Sequence, residues 1–165
     1  EVDETEVFPR ETVTKMAKYG FLGIPVAKEY GGQGADPLAY VMCVEEIAKD
    51  CATTAVIISA HTSLCCDPIA TYGTPAQKEK YLIPLAKGEK LGAFGLTEPN
   101  AGTDAQGVVT TAVLDGDEYV LNGSKIFITN GKEADIYVII ACTDVKVDAK
   151  GRKKKIFPRH SGSCL

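Results

Sequence analysis

The reading of the fold turns on Leu91-Gly92-Ala93-Phe94-Gly95-Leu96-Thr97-Glu98-Pro99-Asn100-Ala101-Gly102-Thr103-Asp104, because the chain is patterned differently on its two sides. Upstream the pattern is helical. Pro9 at a first helical position, Val13, Met16 and Ala17 at helical spacing and Gly20 just beyond them mark a short helix. A Gly-rich loop, Gly31-Gly32-Gln33-Gly34, leads into a second helix over residues 37–50. There Tyr40, Cys43, Val44, Ile47 and Ala48 fall at i, i+3, i+4, i+7 and i+8, and Glu45 is spaced to pair with Lys49. Residues 54–66 are apolar on nearly every side and rich in β-branched groups, so periodicity fits buried helix and buried strand alike; their length favours helix. Gly73 closes that element, and Thr74, Pro75 and Gln77 supply an N-cap, a first-position proline and a capping-box partner for the next, which should stop or kink at Pro84.

Downstream of Leu91 the chain breaks into short runs of Val, Ile, Thr, Phe and Tyr. Asp115-Gly116, Asn122-Gly123 and Asn130-Gly131 divide them, and all three are strong turn dipeptides. Alternation around Tyr119 and Leu121 is loose and leaves the buried face open. The pattern predicts an α+β chain: an all-α N-terminal domain over residues 1–90, then an antiparallel β domain over 91–150.

Composition narrows the function classes. The chain has 165 residues, 45% hydrophobic and 24% charged, which is ordinary globular usage. No apolar run reaches the roughly 18 residues of a membrane span, and the opening Glu1-Val2-Asp3-Glu4 is unlike a signal peptide. The six cysteines form no CxxC pair and sit mostly among apolar neighbours, which points to buried thiols in a reducing cytoplasm and to no structural metal. The net charge is −4, yet residues 150–165 hold six basic groups and no acid, leaving 12 basic against 22 acidic side chains before them. A basic run this short in an acidic protein does not indicate nucleic-acid binding.

The stretch from Phe94 to Asp104 collects backbone amides, two hydroxyls and a glycine, which suits a phosphate or a polar ring edge. Taken alone it is equally a surface turn with an Asx-type hydrogen bond. Together with Lys125-Ile126-Phe127-Ile128-Thr129-Asn130-Gly131, however, it closely resembles the paired signatures of the acyl-CoA dehydrogenase family. The resemblance extends to Tyr30-Gly31-Gly32, Glu45-Glu46, Ala60-His61, Tyr72-Gly73-Thr74, Gln77-Lys78 and residues 82–89, and is greatest to the bacterial short-chain, butyryl-CoA-type members.

What the resemblance implies is specific. The cofactor is FAD: Phe94, Leu96 and Thr97 lie along the isoalloxazine, Thr97 near N1 and the C2 carbonyl, and Gly102 and Thr103 reach the pyrophosphate. Thr103 is also close to the acyl-CoA. Phe127, where many relatives carry Trp, covers the ring, Thr129 bonds near N5, and Ile128 completes the cofactor-binding set. The middle domain is part of a β-barrel-like unit. The family's C-terminal four-helix bundle, which carries the catalytic base, is expected to be missing from these 165 residues, so no catalytic residue is assigned. The parent reaction is α,β-dehydrogenation of a short-chain acyl-CoA to a trans-2-enoyl-CoA, in a homotetramer that passes electrons to electron transfer flavoprotein. Branched-chain or glutaryl thioesters are the alternative substrates. The alternative for the chain itself is a non-catalytic partial product, or a weak flavin or CoA binder. The resemblance stops near Lys150, so residues 151–165 read as a non-homologous basic tail, as from an out-of-frame ending.

Three polar features take plain structural roles. His61, inside an apolar run, reads as a hydrogen-bonded core histidine, Glu98 as a structural acid, and Glu45 and Glu46 as a solvated helix face.

Overall fold

The computed structural model describes residues 2–143, 145–147 and 153–155, with side chains described for residue 2 and residues 4–143. The chain divides into two compact units, one of Glu1–Phe94 with Thr129–Val138, the other of Gly95–Ile128 with Ile139–Leu165.

The first unit is helical. After a single turn, α1 (Val2–Thr5), α2 (Arg10–Lys18) buries Val13 and Met16; Pro9 stands at its N-cap, one position earlier than expected, and Gly20 follows it at φ +80. Two 3₁₀ turns, Phe21–Gly23 and Lys28–Tyr30, then bring the Gly-rich loop against the core. Glycine is required there by packing, since a Cβ on Gly23 would strike the Ala86 carbonyl and one on Gly32 the Val26 carbonyl.

Helix α3 (Pro37–Asp50) begins where Asp36 accepts the Ala39 N–H at 2.8 Å. Tyr40, Cys43, Val44 and Ile47 are half-buried and Ala48 is exposed, while Lys49 bonds Glu46 at 2.6 Å, the i,i+3 neighbour, rather than Glu45. Helix α4 (Ala52–Ser59) settles the ambiguity of the apolar run in favour of helix, and continues through a π-helical stretch, Ala60–Cys66, into α5 (Asp67–Tyr72).

The next helix repeats this plan: α6 (Pro75–Gln77), a π-helical stretch over Lys78–Leu82, then α7 (Ile83–Ala86). Its capping box is complete, with Thr74 N–H donating to Gln77 Oε1 at 2.8 Å and Gln77 N–H to Thr74 Oγ1 at 3.3 Å. Each π stretch lies just ahead of a proline, Pro68 or Pro84. A proline has no N–H for the carbonyl four residues back and its ring crowds that carbonyl, so widening the turn relieves both problems. Pro84 is therefore absorbed into a continuous helix that bulges instead of ending.

Two clusters fill this unit. Val13, Met16, Leu22, Ile57, Ile58 and Leu91 form one; Val26, Cys65, Cys66, Leu82, Leu85 and Ala86 form the other. Cys65 and Cys66 are the buried thiols expected, whereas Cys43, Cys51 and Cys142 are only half-buried. His61 is fully buried, with Gly92 N–H donating to Nδ1 at 2.9 Å and Nε2 facing Cys66 Sγ at 3.4 Å. Burial holds its pKa down at about 4, so the ring is neutral with its proton on Nε2.

Strand β1 (Gly92–Gly95) leads from the helical unit into the second unit and pairs with β4 (Ile136–Ile139) on the way back. Ile136 N–H donates to Leu91 O and Ile140 N–H to Gly95 O, stepping both strands in the same direction, so this pair is parallel. Between them lies the antiparallel hairpin β2 (Thr111–Asp115) and β3 (Glu118–Asn122), turning at Gly116 with φ +66. Every residue of β3 is exposed, which explains the absent alternation around Tyr119 and Leu121. Beyond it, β5 (Val145–Val147) and β6 (Lys153–Lys155) pair antiparallel. The side chains of the basic tail lie outside the described residues. The architecture is thus α+β, with a helical N-terminal part followed by small unclosed sheets. Among the described residues no helix is long and apolar enough to cross a membrane.

Candidate functional site

In the second unit the two signature segments lie side by side. Ile126 N–H donates to Thr97 O at 2.9 Å, and Lys125 Nζ donates to Leu96 O at 2.9 Å and to Glu98 Oε1 at 2.7 Å. Thr97, Leu96 and Ile128 are half-buried there, and Phe127 is 88% exposed with φ +56. A bulky residue in the left-handed region is costly, and burial of the ring within the chain does not repay it. Such an arrangement holds an aromatic face outward.

Glu98 is the anchor of this pairing. It is 2% exposed and accepts Val109 N–H at 2.6 Å and Thr110 N–H at 2.9 Å in addition to Lys125. Burial would raise its pKa, but Lys125 and the Val109 and Thr110 donors outweigh it and hold the carboxyl at about 2. The acid read as structural is so. Lys125 lies inside the second signature, and the one local sign of its role is a lysine set beside an apolar Ile-Phe-Ile run.

After Glu98 a tight turn closes between Glu98 and Ala101, with N–H to O distances of 3.0 and 3.1 Å in the two directions. Gly102 and Thr103 follow it, both exposed, and a Cβ placed on Gly102 would meet nothing within 4 Å. No contact inside the described chain demands glycine at 102. Among the described residues the amides of Gly102 and Thr103 donate to no backbone carbonyl, so two N–H groups stand available beside a surface with room for close approach.

Phe94 and Thr129 belong to the first unit, both half-buried. Thr129 precedes Asn130, whose φ is +64 and whose Nδ2 donates to Ile57 O and to Gly92 O, each at 3.1 Å. Nearby, Leu91 N–H donates to Asp135 Oδ2 at 2.9 Å, tying the return of the chain to the entrance of β1. Asn130 was legible only as part of a turn dipeptide. Its two long-range hydrogen bonds have no sequence signature. Among the described residues no cluster of His, Cys, Asp and Glu could hold a metal ion.

Two family models match the chain: the acyl-CoA dehydrogenase N-terminal domain over residues 1–89 and the acyl-CoA dehydrogenase middle domain over residues 93–157. A short-chain-specific acyl-CoA dehydrogenase of Clostridium acetobutylicum is 63% identical over 92% of this chain and 40% of its own length. Among solved structures, butyryl-CoA dehydrogenase from Megasphaera elsdenii is 50% identical with a TM-score of 0.82, over 90% of this chain and 39% of that one. A chain in the structure of the electron transferring flavoprotein of Acidaminococcus fermentans is 53% identical with a TM-score of 0.84, over 90% of this chain and 38% of that one. The 165 residues span about 40% of the curated relative's length. The first model alone covers more than half of the chain, and the chain belongs to the acyl-CoA dehydrogenase family.

Proposed function

We propose that this chain is the FAD-binding part of a short-chain acyl-CoA dehydrogenase, which oxidises an acyl-CoA to a trans-2-enoyl-CoA in the cytoplasm. The observation that carries the flavin reading is Phe127, an exposed aromatic face in left-handed backbone, placed beside Thr97 by the Ile126 to Thr97 hydrogen bond. The residues present fit the cofactor. Within the second unit Phe127, Leu96 and Ile128 offer apolar surface to a planar ring, Thr97 offers a hydroxyl to its polar edge, and the open Gly102 and Thr103 amides suit a pyrophosphate; by the family resemblance Phe94 also lies along the ring, Thr129 bonds near its N5 and Thr103 is close to the acyl-CoA. When bound, FAD supplies the hydride acceptor. The work of this chain is to bind and orient it, and the two threonines place donors where negative charge develops.

A carboxylate must take the α-proton, and Glu98 is unsuited to that task. A group held at about 2 with three donors on its oxygens is a weak base near neutral pH. The base in this reading comes from the C-terminal helical domain that the family resemblance implies, and the 165-residue chain alone binds without turning over. Membership of the family and the A. fermentans likeness support electron transfer flavoprotein as acceptor; the homotetramer is what the family resemblance implies for the complete enzyme; the C. acetobutylicum and M. elsdenii likenesses favour short acyl chains over branched or glutaryl thioesters.

The test is anaerobic. The purified gene product and the 165-residue chain are each mixed with FAD and scanned for a bound-flavin spectrum, then given butyryl-CoA. The reading expects bound flavin, bleached by butyryl-CoA only where a C-terminal base is supplied. Absence of bound flavin from the gene product refutes the flavin assignment, and bleaching with crotonyl-CoA formation by the 165-residue chain refutes the assignment of the base.

A further inference from the structure

We propose that Asn130 is a positioning residue that holds its neighbour Thr129 in its flavin-binding geometry before any cofactor arrives; this rests on the proposed flavin-binding function. Asn130 is 8% exposed and lies one residue beyond Thr129. Its Nδ2 donates to two carbonyls from distant parts of the helical unit, Ile57 O in α4 and Gly92 O in β1, 73 and 38 residues away. The two N–H groups of Nδ2 satisfy both carbonyl acceptors at once, so the orientation of the carboxamide is fixed by its partners. Backbone at φ +64 is the other requirement, and asparagine tolerates that region better than other side chains that could span the distance.

Two further observations separate this clamp from ordinary core packing. Asn130 and Thr129 both line a cavity of about 550 Å³, with Phe8, Val56 and Ile57 among its walls, and Asn130 Oδ1 is buried without a hydrogen-bond partner. A buried acceptor left unmet costs free energy, and this one belongs to a residue of the cavity wall beside Thr129. Left-handed backbone and a two-point anchor thus coincide at Asn130, directly beside Thr129. Rigidity of this kind lowers the ordering cost of ligand binding.

The experiment uses the purified gene product, its Asn130→Gly and Asn130→Asp variants, FAD titration, flavin midpoint potential and hydrogen exchange over the segment 129–132. Asn130→Gly keeps the left-handed backbone and removes the clamp; Asn130→Asp keeps size and backbone tolerance and removes the donors. Both are expected to weaken FAD binding about tenfold or more and to lower the midpoint potential, because the Thr129 hydroxyl is no longer held in place. In the wild type the segment should be protected from exchange already without FAD. A variant that loses thermal stability while keeping FAD affinity and potential within twofold of wild type makes Asn130 merely structural and overturns the proposal. So does a wild-type segment that gains protection only when FAD is added, a measurement that needs no variant. A wild type that takes no FAD fails the flavin reading first and this inference with it, a result distinct from the other two.

Discussion

Replacing Lys125 with methionine removes an ammonium and nearly preserves the stem. Glu98 is then left as a buried carboxylate with two backbone N–H donors, from Val109 and Thr110, and no counter-charge. The Lys125 and Glu98 side chains are 10% and 1% exposed, so solvent does not replace the lost partner. Breaking one side of a buried pair costs about 3 to 5 kcal/mol. The Glu98 carboxyl, lowered from 4.5 to about 2 by Lys125 together with the Val109 and Thr110 donors against the opposing effect of burial, corresponds to about 3 kcal/mol of preference for the ionised form in the folded state. The sign fixes a pH window. A carboxyl depressed on folding contributes stability that is complete above its unfolded value near 4.5 and is lost as pH falls from there toward 2. Urea unfolding of wild type, Lys125→Met, Glu98→Gln and the double variant should show Lys125→Met losing about 3 kcal/mol at pH 7 and a smaller loss between pH 4.5 and 3 than the wild type suffers. The double variant should recover part of that loss. If Lys125→Met costs under about 1 kcal/mol at pH 7, or if wild type and variant lose stability in parallel on acidification, the pair is not the anchor described here.

Thr97→Val and Thr129→Val in the gene product should each lower flavin reduction potential and FAD retention, by the about 1.5 to 3 kcal/mol of a hydrogen bond to a charge-developing group; potentiometry and flavin content after gel filtration check this. His61, neutral and held at about 4, contributes stability present above its unfolded value near 6.5 and lost as pH falls from 6.5 toward 4. His61→Gln should flatten that window in urea midpoints. Gly116→Ala forces a Cβ into φ +66 at the hairpin turn and should cost about 1 kcal/mol, whereas Gly102→Ala, with open space around its Cβ, should leave stability unchanged and weaken FAD binding, as thermal melts and FAD titration would show.

Much of the helical unit was legible because its signals are local. The capping box at Thr74 and Gln77, the stop at Gly20 and the amphipathic run over α3 each depend on residues within a turn or two of one another. What escaped depends on partners far apart. The Lys49 pairing went to Glu46 because i+3 and i+4 neighbours compete and the sequence does not rank them. The bulges ahead of Pro68 and Pro84 could not be told from a stop, since a missing donor permits either outcome and packing of Leu82 and Leu85 decides it. The residues proposed to face the flavin rest on a resemblance, not on pattern; alone, the Thr-Glu-Pro-Asn-Ala-Gly-Thr stretch fits a surface turn as well.

Strain and buried charge supply the physical reason that these segments belong together. Phe127 and Asn130 occupy backbone that costs free energy, and Glu98 is ionised in a place that opposes ionisation. Glu98 and Asn130 are held by contacts of long sequence separation: Lys125 to Glu98 across 27 residues, Glu98 to Thr110 across 12, Asn130 to Ile57 across 73. Neither has its own local sequence to thank for its geometry. The salt bridge fixes Lys125 within the second unit and the carboxamide clamp fixes Asn130 within the first, while the ring of Phe127 is left uncovered. Anchored backbone beside an exposed aromatic face is what a planar ligand needs from its wall.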